Sequence, residues 1–238
     1  MSARALQSSQ VRPGPGAGFP RWALCVSAMV CLAALAPAAP GGGLRQTGPS
    51  LNVYKAAPGL PWDLQRVALL PLFAGRVSIE PESRIQLEQA LHAECIRSGF
   101  AEIIPVPPDT LRRLTGRGVW AADEPLPPDF LARLRAETAA DAVLFAEVTA
   151  FRPYRPALLG WRLRLVDTRS STTWWAADQL FDATDPRLVR AASQWEGIGQ
   201  PWWQRRPDGW RTLQAPRELA RMTSASLLAT LPARDTRR

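Results

Sequence analysis

Histidine, cysteine and lysine are scarce in this chain of 238 residues. It has one histidine (His92), three cysteines (Cys25, Cys31, Cys95) and, among 29 basic residues, a single lysine (Lys55). That scarcity excludes several chemistries. No Cys/His zinc site can be assembled from the chain alone. Ser-His-Asp catalysis would have to use His92, and no G-x-S-x-G turn is present. Neither common kind of glycine-rich phosphate loop occurs. Catalytic, cofactor and metal residues are therefore all expected to be none, and the chain is read as not an enzyme.

A long hydrophobic run is missing as well. The apolar stretch from Trp22 to Leu35 has 14 residues, whereas crossing about 30 Å of hydrocarbon takes roughly 20. Arg21 precedes it, and Ala36-Pro37-Ala38-Ala39 and a glycine cluster at 41–43 follow it. A basic flank, a short apolar core and a small-x-small site make a secretory signal over residues 1–38, cleaved near Ala38. Two alternatives stand beside that expectation. One is an uncleaved segment that associates the chain with a membrane. The other is lipidation at Cys31, although Val30 is large where the lipoprotein pattern has a small residue.

Cleavage removes Arg4, Arg12 and Arg21 and no acid, which takes the net charge from +8 to +5. Such a modest, scattered charge does not suggest a nucleic-acid partner. Cys95 would be the only cysteine left, so no internal disulfide could staple the core. At 46% hydrophobic and 21% charged, the composition is that of a folded globular chain.

Residues 39–63 are rich in Gly and Pro and read as a tether. The core domain, 64–193, opens with the continuous apolar run Arg66–Phe73, a strand covered on both faces, with Pro71 at its end or on an edge. Glu80-Pro81-Glu82 starts a helix, since proline suits the first turn and acids suit the positive end of the dipole. Leu87, Leu91 and Cys95 form its stripe, flanked by Ile85 and Ile96, and Gly99 stops it. Phe100–Val106 follows as a strand, and strand–helix–strand order favours a parallel pair. A short helix over 108–114 and a longer one from Pro128 to Ala140 precede the strand Asp141–Phe151. In Leu159–Asp167, Trp161, Leu163 and Leu165 alternate with Arg162 and Arg164. Thr173–Phe181 returns antiparallel, and Asp185-Pro186 caps a further helix. A Trp/Arg-rich loop spans 194–215, and a helix over 216–231 packs on the core. The expected fold is α/β (α+β), a single domain with a mixed β-sheet of about five strands flanked by helices.

Three segments carry a family likeness: Val67-Ala-Leu-Leu-Pro-Leu-Phe73, Ala140-Asp141-Ala142-Val143-Leu144-Phe145-Ala146-Glu147-Val148, and Leu163-Arg-Leu-Val-Asp167 with Trp174. Together they resemble exported bacterial envelope proteins and lipoproteins of the TolB amino-terminal-domain and CsgG-like kind. The likeness covers residues 66–193. Ala146 stands where those families often have Gly, and Ser170-Ser171 replaces their usual Thr-Gly turn. The resemblance implies an α/β fold and an address in the cell envelope.

The candidate sites differ in weight. His92, one turn after Glu88, has no nucleophile paired with it and reads as structural. Glu80, Glu82, Asp123, Glu124 and Asp129 read as helix-start acids, although two of them could in principle flank a glycosidic bond. Glu147 and Asp178 lie inside strands, and a buried acid needs a cation, for which Arg162 or Arg164 on a neighbouring strand would serve. The candidate interaction surface is Trp202, Trp203, Arg205, Arg206 and Trp210, because tryptophan and arginine dominate interface hot spots. The same rings could instead close the edge of the core as a lid.

The sequence is thus read as an exported, periplasmic or outer-membrane-associated protein. It is expected to act through an envelope protein partner in assembly, transport or maintenance. The alternative is a carbohydrate-binding or glycan-hydrolysing envelope protein that uses the Trp-rich loop.

Overall fold

The computed structural model describes residues 51–75, 77–198 and 209–235. The expected signal segment 1–38, Cys31, the first part of the tether, and Trp202, Trp203, Arg205 and Arg206 lie outside the described residues.

The described elements run β1 (Val53–Lys55), β2 (Gly59–Leu60), β3 (Arg66–Leu69), α1 (Pro81–Ser98), β4 (Glu102–Pro105), α2 (Pro108–Thr115) and α3 (Phe130–Thr138). They continue with β5 (Ala142–Arg152), β6 (Leu158–Asp167), β7 (Thr173–Asp182), α4 (Pro186–Glu196), α5 (Trp210–Gln214), α6 (Pro216–Leu228) and β8 (Ala233–Arg234). Six strands form one mixed sheet in the order β1-β7-β6-β5-β3-β4, and β2 pairs with β8 in a parallel two-stranded patch. β3 is parallel to both β4 and β5, whereas β5, β6, β7 and β1 are successively antiparallel.

The continuous apolar run behaves as expected of a strand covered on both faces. Val67, Leu69 and Leu72 enter the larger core cluster, and Ala68 and Leu70 enter the smaller one. Regular pairing ends at Leu69, before Pro71, and Phe73 rejoins the sheet as an isolated bridge to Glu147. α1 starts at Pro81, buries Leu87, Leu91 and Cys95, and ends on Gly99 at φ 64°. Ile85 and Ile96 stay exposed beside that stripe. Burial pushes the Cys95 thiol up to about 12, with nearby Glu94 adding to the effect.

The larger cluster is built by α1, α4, α5 and α6 against one face of the sheet. Its two fully buried indoles each find an acceptor, as buried Trp N–H groups need: Trp161 Nε1 donates to Thr223 Oγ1 at 3.0 Å and Trp175 Nε1 to Thr230 Oγ1 at 3.0 Å. The smaller cluster, under α2, α3 and Trp120, takes Val143, Phe145 and Val166 from the opposite face.

Two expectations need correction. The stretch 39–63, read as a tether, contains β1 and β2 and buries Leu60. Its Pro and Gly content conceals a short edge strand that is stabilised by β7, far away in sequence. The stretch read as the loop 194–215 begins inside α4 and ends in α5. Among the described residues, no helix is long and apolar enough to cross a membrane.

Candidate functional site

Two clusters of charged and aromatic side chains stand out, and the β5–β6 hairpin carries both. The first is a ladder across the open part of the sheet. The register sets Glu147 opposite Arg162, and Arg162 opposite Asp178. Strand alternation turns all of them to the face where the smaller core cluster has already ended. Arg162 Nε donates to Asp178 Oδ2 at 2.8 Å, while its Nη1 lies 3.0 Å from Asp123 Oδ2 and 3.6 Å from Glu147 Oε1. The acids that the sequence placed inside strands are therefore paired with Arg162, one of the two arginines expected to serve them.

The segment Trp120–Asp123 is tied down over this ladder. Ala122 N donates to Glu147 Oε2 at 3.4 Å, and Arg164 Nη1 donates to Ala122 O at 3.0 Å. Glu147 is 8% exposed, and its burial raises its carboxyl above the usual range despite the attraction of Arg162. The Asp178 hydrogen bond, opposed by burial, holds Arg162 further toward its charged form. Beside the ladder lies an open groove of about 240 Å³, lined by Tyr54, Asp123, Arg164 and Asp178 among others.

The second cluster lies at the hairpin tip. Between β5 and β6 the chain reads Pro153-Tyr154-Arg155-Pro156-Ala157. The Arg155 guanidinium carbon lies 3.6 Å from the centroid of the Trp210 ring, a close cation–π stack. Tyr154 beside it is 74% exposed, and Trp210 is 37% exposed. Trp210 is placed by Gly209, whose φ of 58° favours glycine and whose hydrogen occupies a spot where a Cβ would fall 2.5 Å from Ala192 Cβ. α5 can thus approach α4, and Thr212 N donates to Glu196 Oε1 at 2.6 Å to lock the junction.

The tryptophans of the 194–215 stretch therefore divide. Trp195 is half-buried against the larger core, with Arg221 6.0 Å from its ring centroid, as a lid would be. Trp210 is exposed and stacked by an arginine that the sequence did not single out. The missed residues Tyr154 and Arg155 share the proline framing of Trp202–Arg206, which lies between Pro201 and Pro207. That framing was the signal available.

The remaining candidates have local roles. Glu88 Oε1 accepts from Leu72 N at 3.3 Å rather than pairing with His92. Asp129 pairs with Arg133, and Glu124 with Arg117. Neither Glu80 nor Asp129 makes a side-chain cap bond, so of the helix-start acids it is Asp185 that caps, by accepting from Arg187 N. No group of three or more His, Cys, Asp or Glu side chains is arranged to hold a metal ion among the described residues.

No protein-family model matches the sequence, and no curated protein matches it. Solved structures are similar to it at low identity. The PelC dodecamer from Paraburkholderia phytofirmans is 14% identical at TM-score 0.45, the match covering 78% of this chain and 99% of that one. The C-terminal domain of LpoB from Salmonella enterica is 10% identical at TM-score 0.36, over 52% and 87% of the two chains. The lipoprotein GNA1162 from Neisseria meningitidis is 15% identical at TM-score 0.35, over 49% and 79%, so the structures similar to this chain include a bacterial lipoprotein.

Proposed function

We propose that this chain is an exported, non-enzymatic cell-envelope protein, periplasmic or outer-membrane associated, that works by contacting another protein in envelope assembly, transport or maintenance. The observation that carries the reading is the Tyr154–Arg155–Trp210 platform, with hot-spot residue types on a prebuilt, exposed hairpin tip. Pro153 and Pro156 fix backbone angles on both sides of Tyr154-Arg155, which lowers the ordering cost of binding. The envelope address is supported by the signal-like pattern of residues 1–38 and by the TolB- and CsgG-like motifs. Arg155 already occupies a face of the Trp210 ring, which weighs against sugar stacking there.

The test is a photo-crosslinking residue at position 154 of the full chain, expressed in the native host. A protein adduct in the envelope fraction is expected. A chain that remains in the cytoplasm, or yields no adduct in the envelope, overturns the reading.

A further inference from the structure

This inference rests on that reading and concerns the chemistry of the partner. An arginine stacked on an indole uses its π face, while its five N–H donors lie in the guanidinium plane and point past the ring edge. Arg155 forms no ion pair among the described residues, unlike Arg162, Arg117, Arg133 and Arg221. The acid associated with the tip is already committed. The Asp182 carboxyl is held below the usual range chiefly by Thr184 N, with the charge of Arg152 as a smaller cause. Arg152 itself donates from Nε to Pro156 O at 2.6 Å.

The hairpin tip therefore presents a cation that forms no ion pair among the described residues, next to an aromatic ring. The planar fork of an arginine matches a carboxylate through two parallel N–H···O bonds. We propose that the Tyr154–Arg155–Trp210 platform takes an acidic segment of a protein partner, with a carboxylate in the plane of Arg155 and an apolar neighbour against the Tyr154 ring. Anionic bilayers recruit proteins through clusters of about 4–8 basic residues, whereas this tip holds a single arginine stacked on an aromatic ring. That difference favours a peptide over a lipid surface.

The experiment uses the full chain and a short labelled peptide that alternates Glu with Leu and Phe. A counterpart with every Glu changed to Gln and phosphatidylglycerol vesicles form the other arms. Fluorescence anisotropy should show the acidic peptide binding about tenfold or more tightly than its Gln counterpart, and Arg155→Ala should cost a similar factor, as expected for one charge-assisted contact. Arg155→Lys should recover only part of the loss, because a point charge does not reproduce the fork. A denaturation curve showing Arg155→Ala still fully folded under the assay conditions separates lost binding from lost folding. Equal binding of the two peptides overturns the proposal, as does full affinity in Arg155→Ala. Binding to vesicles without binding to the acidic peptide overturns it in favour of lipid. If no peptide binds while position 154 still crosslinks in the envelope, the acidic chemistry fails and the contact surface stands. If both fail, the surface itself is lost.

Discussion

Arg162 and Arg155 belong to one hairpin and have opposite surroundings. Arg162, on β6, meets carboxylates of Asp178, Asp123 and Glu147 within 3.6 Å. Arg155, at the tip, has an indole against its face and no carboxylate among the described residues. Charge neutralised inside a fold orders the fold, and here it pins Trp120–Asp123 to the sheet. Charge supported by an aromatic ring, with no ion pair among the described residues, is what the proposed contact would use. The comparison also separates two kinds of arginine that look alike in a sequence so rich in them.

The largest effect should come from the core that supports the ladder. Phe145 stacks on Phe130 with ring centroids 6.1 Å apart and is buried beneath α3. Phe145→Ala should cost roughly 3–5 kcal/mol in urea denaturation. A loss below about 1 kcal/mol, within ordinary surface-mutation noise, would remove β5 from the sheet interior.

The next effect divides the two arginines. Arg162→Ala leaves Glu147 buried without its cation. Because the Arg162 side chain is 33% exposed, the cost should fall to roughly 1–3 kcal/mol, below that of breaking a fully buried pair. Arg155→Ala removes an exposed cation–π contact and should cost no more than about 1 kcal/mol. Denaturation midpoints check both, and a larger loss at Arg155 than at Arg162 would invert the assignment.

A smaller effect concerns pH. The folded-state carboxyl of Glu147 sits above its ordinary value of 4.5 because burial outweighs Arg162. For a raised acid, the stabilising contribution is full below the unfolded value and is lost as pH rises through the folded one. The stability of Glu147→Gln relative to the unsubstituted chain should therefore improve as pH rises from below 4.5 through the range just above it, then level off. Midpoints measured across that window test the sign, and a relative loss would mean that Arg162 dominates instead.

Much of the fold could be read from the sequence where periodicity is strong. Trp161, Leu163 and Leu165 alternate with Arg162 and Arg164 because one face of an antiparallel sheet is packed and the other open, so the pattern carries both the strand and the ladder. The continuous run at β3 and the capped helix α4 were legible for similarly local reasons. β1 was not, because a strand of three residues has no periodicity to show and owes its place to β7. The platform was half legible. Trp210 drew attention through composition, but Arg155 joins it only in three dimensions, when α5 closes against the end of the β5–β6 hairpin.

The open groove by the ladder and the hairpin tip are the two exposed surfaces that the account treats differently, and one photo-crosslinking residue can interrogate both. Tyr54 lies on the groove and is 56% exposed, while Tyr154 lies on the tip. With the crosslinker at one position or the other in native-host cells, the account predicts envelope protein adducts from position 154 that are lost with Arg155→Ala, and background yield from position 54. Adducts from position 54 with none from position 154 would contradict it.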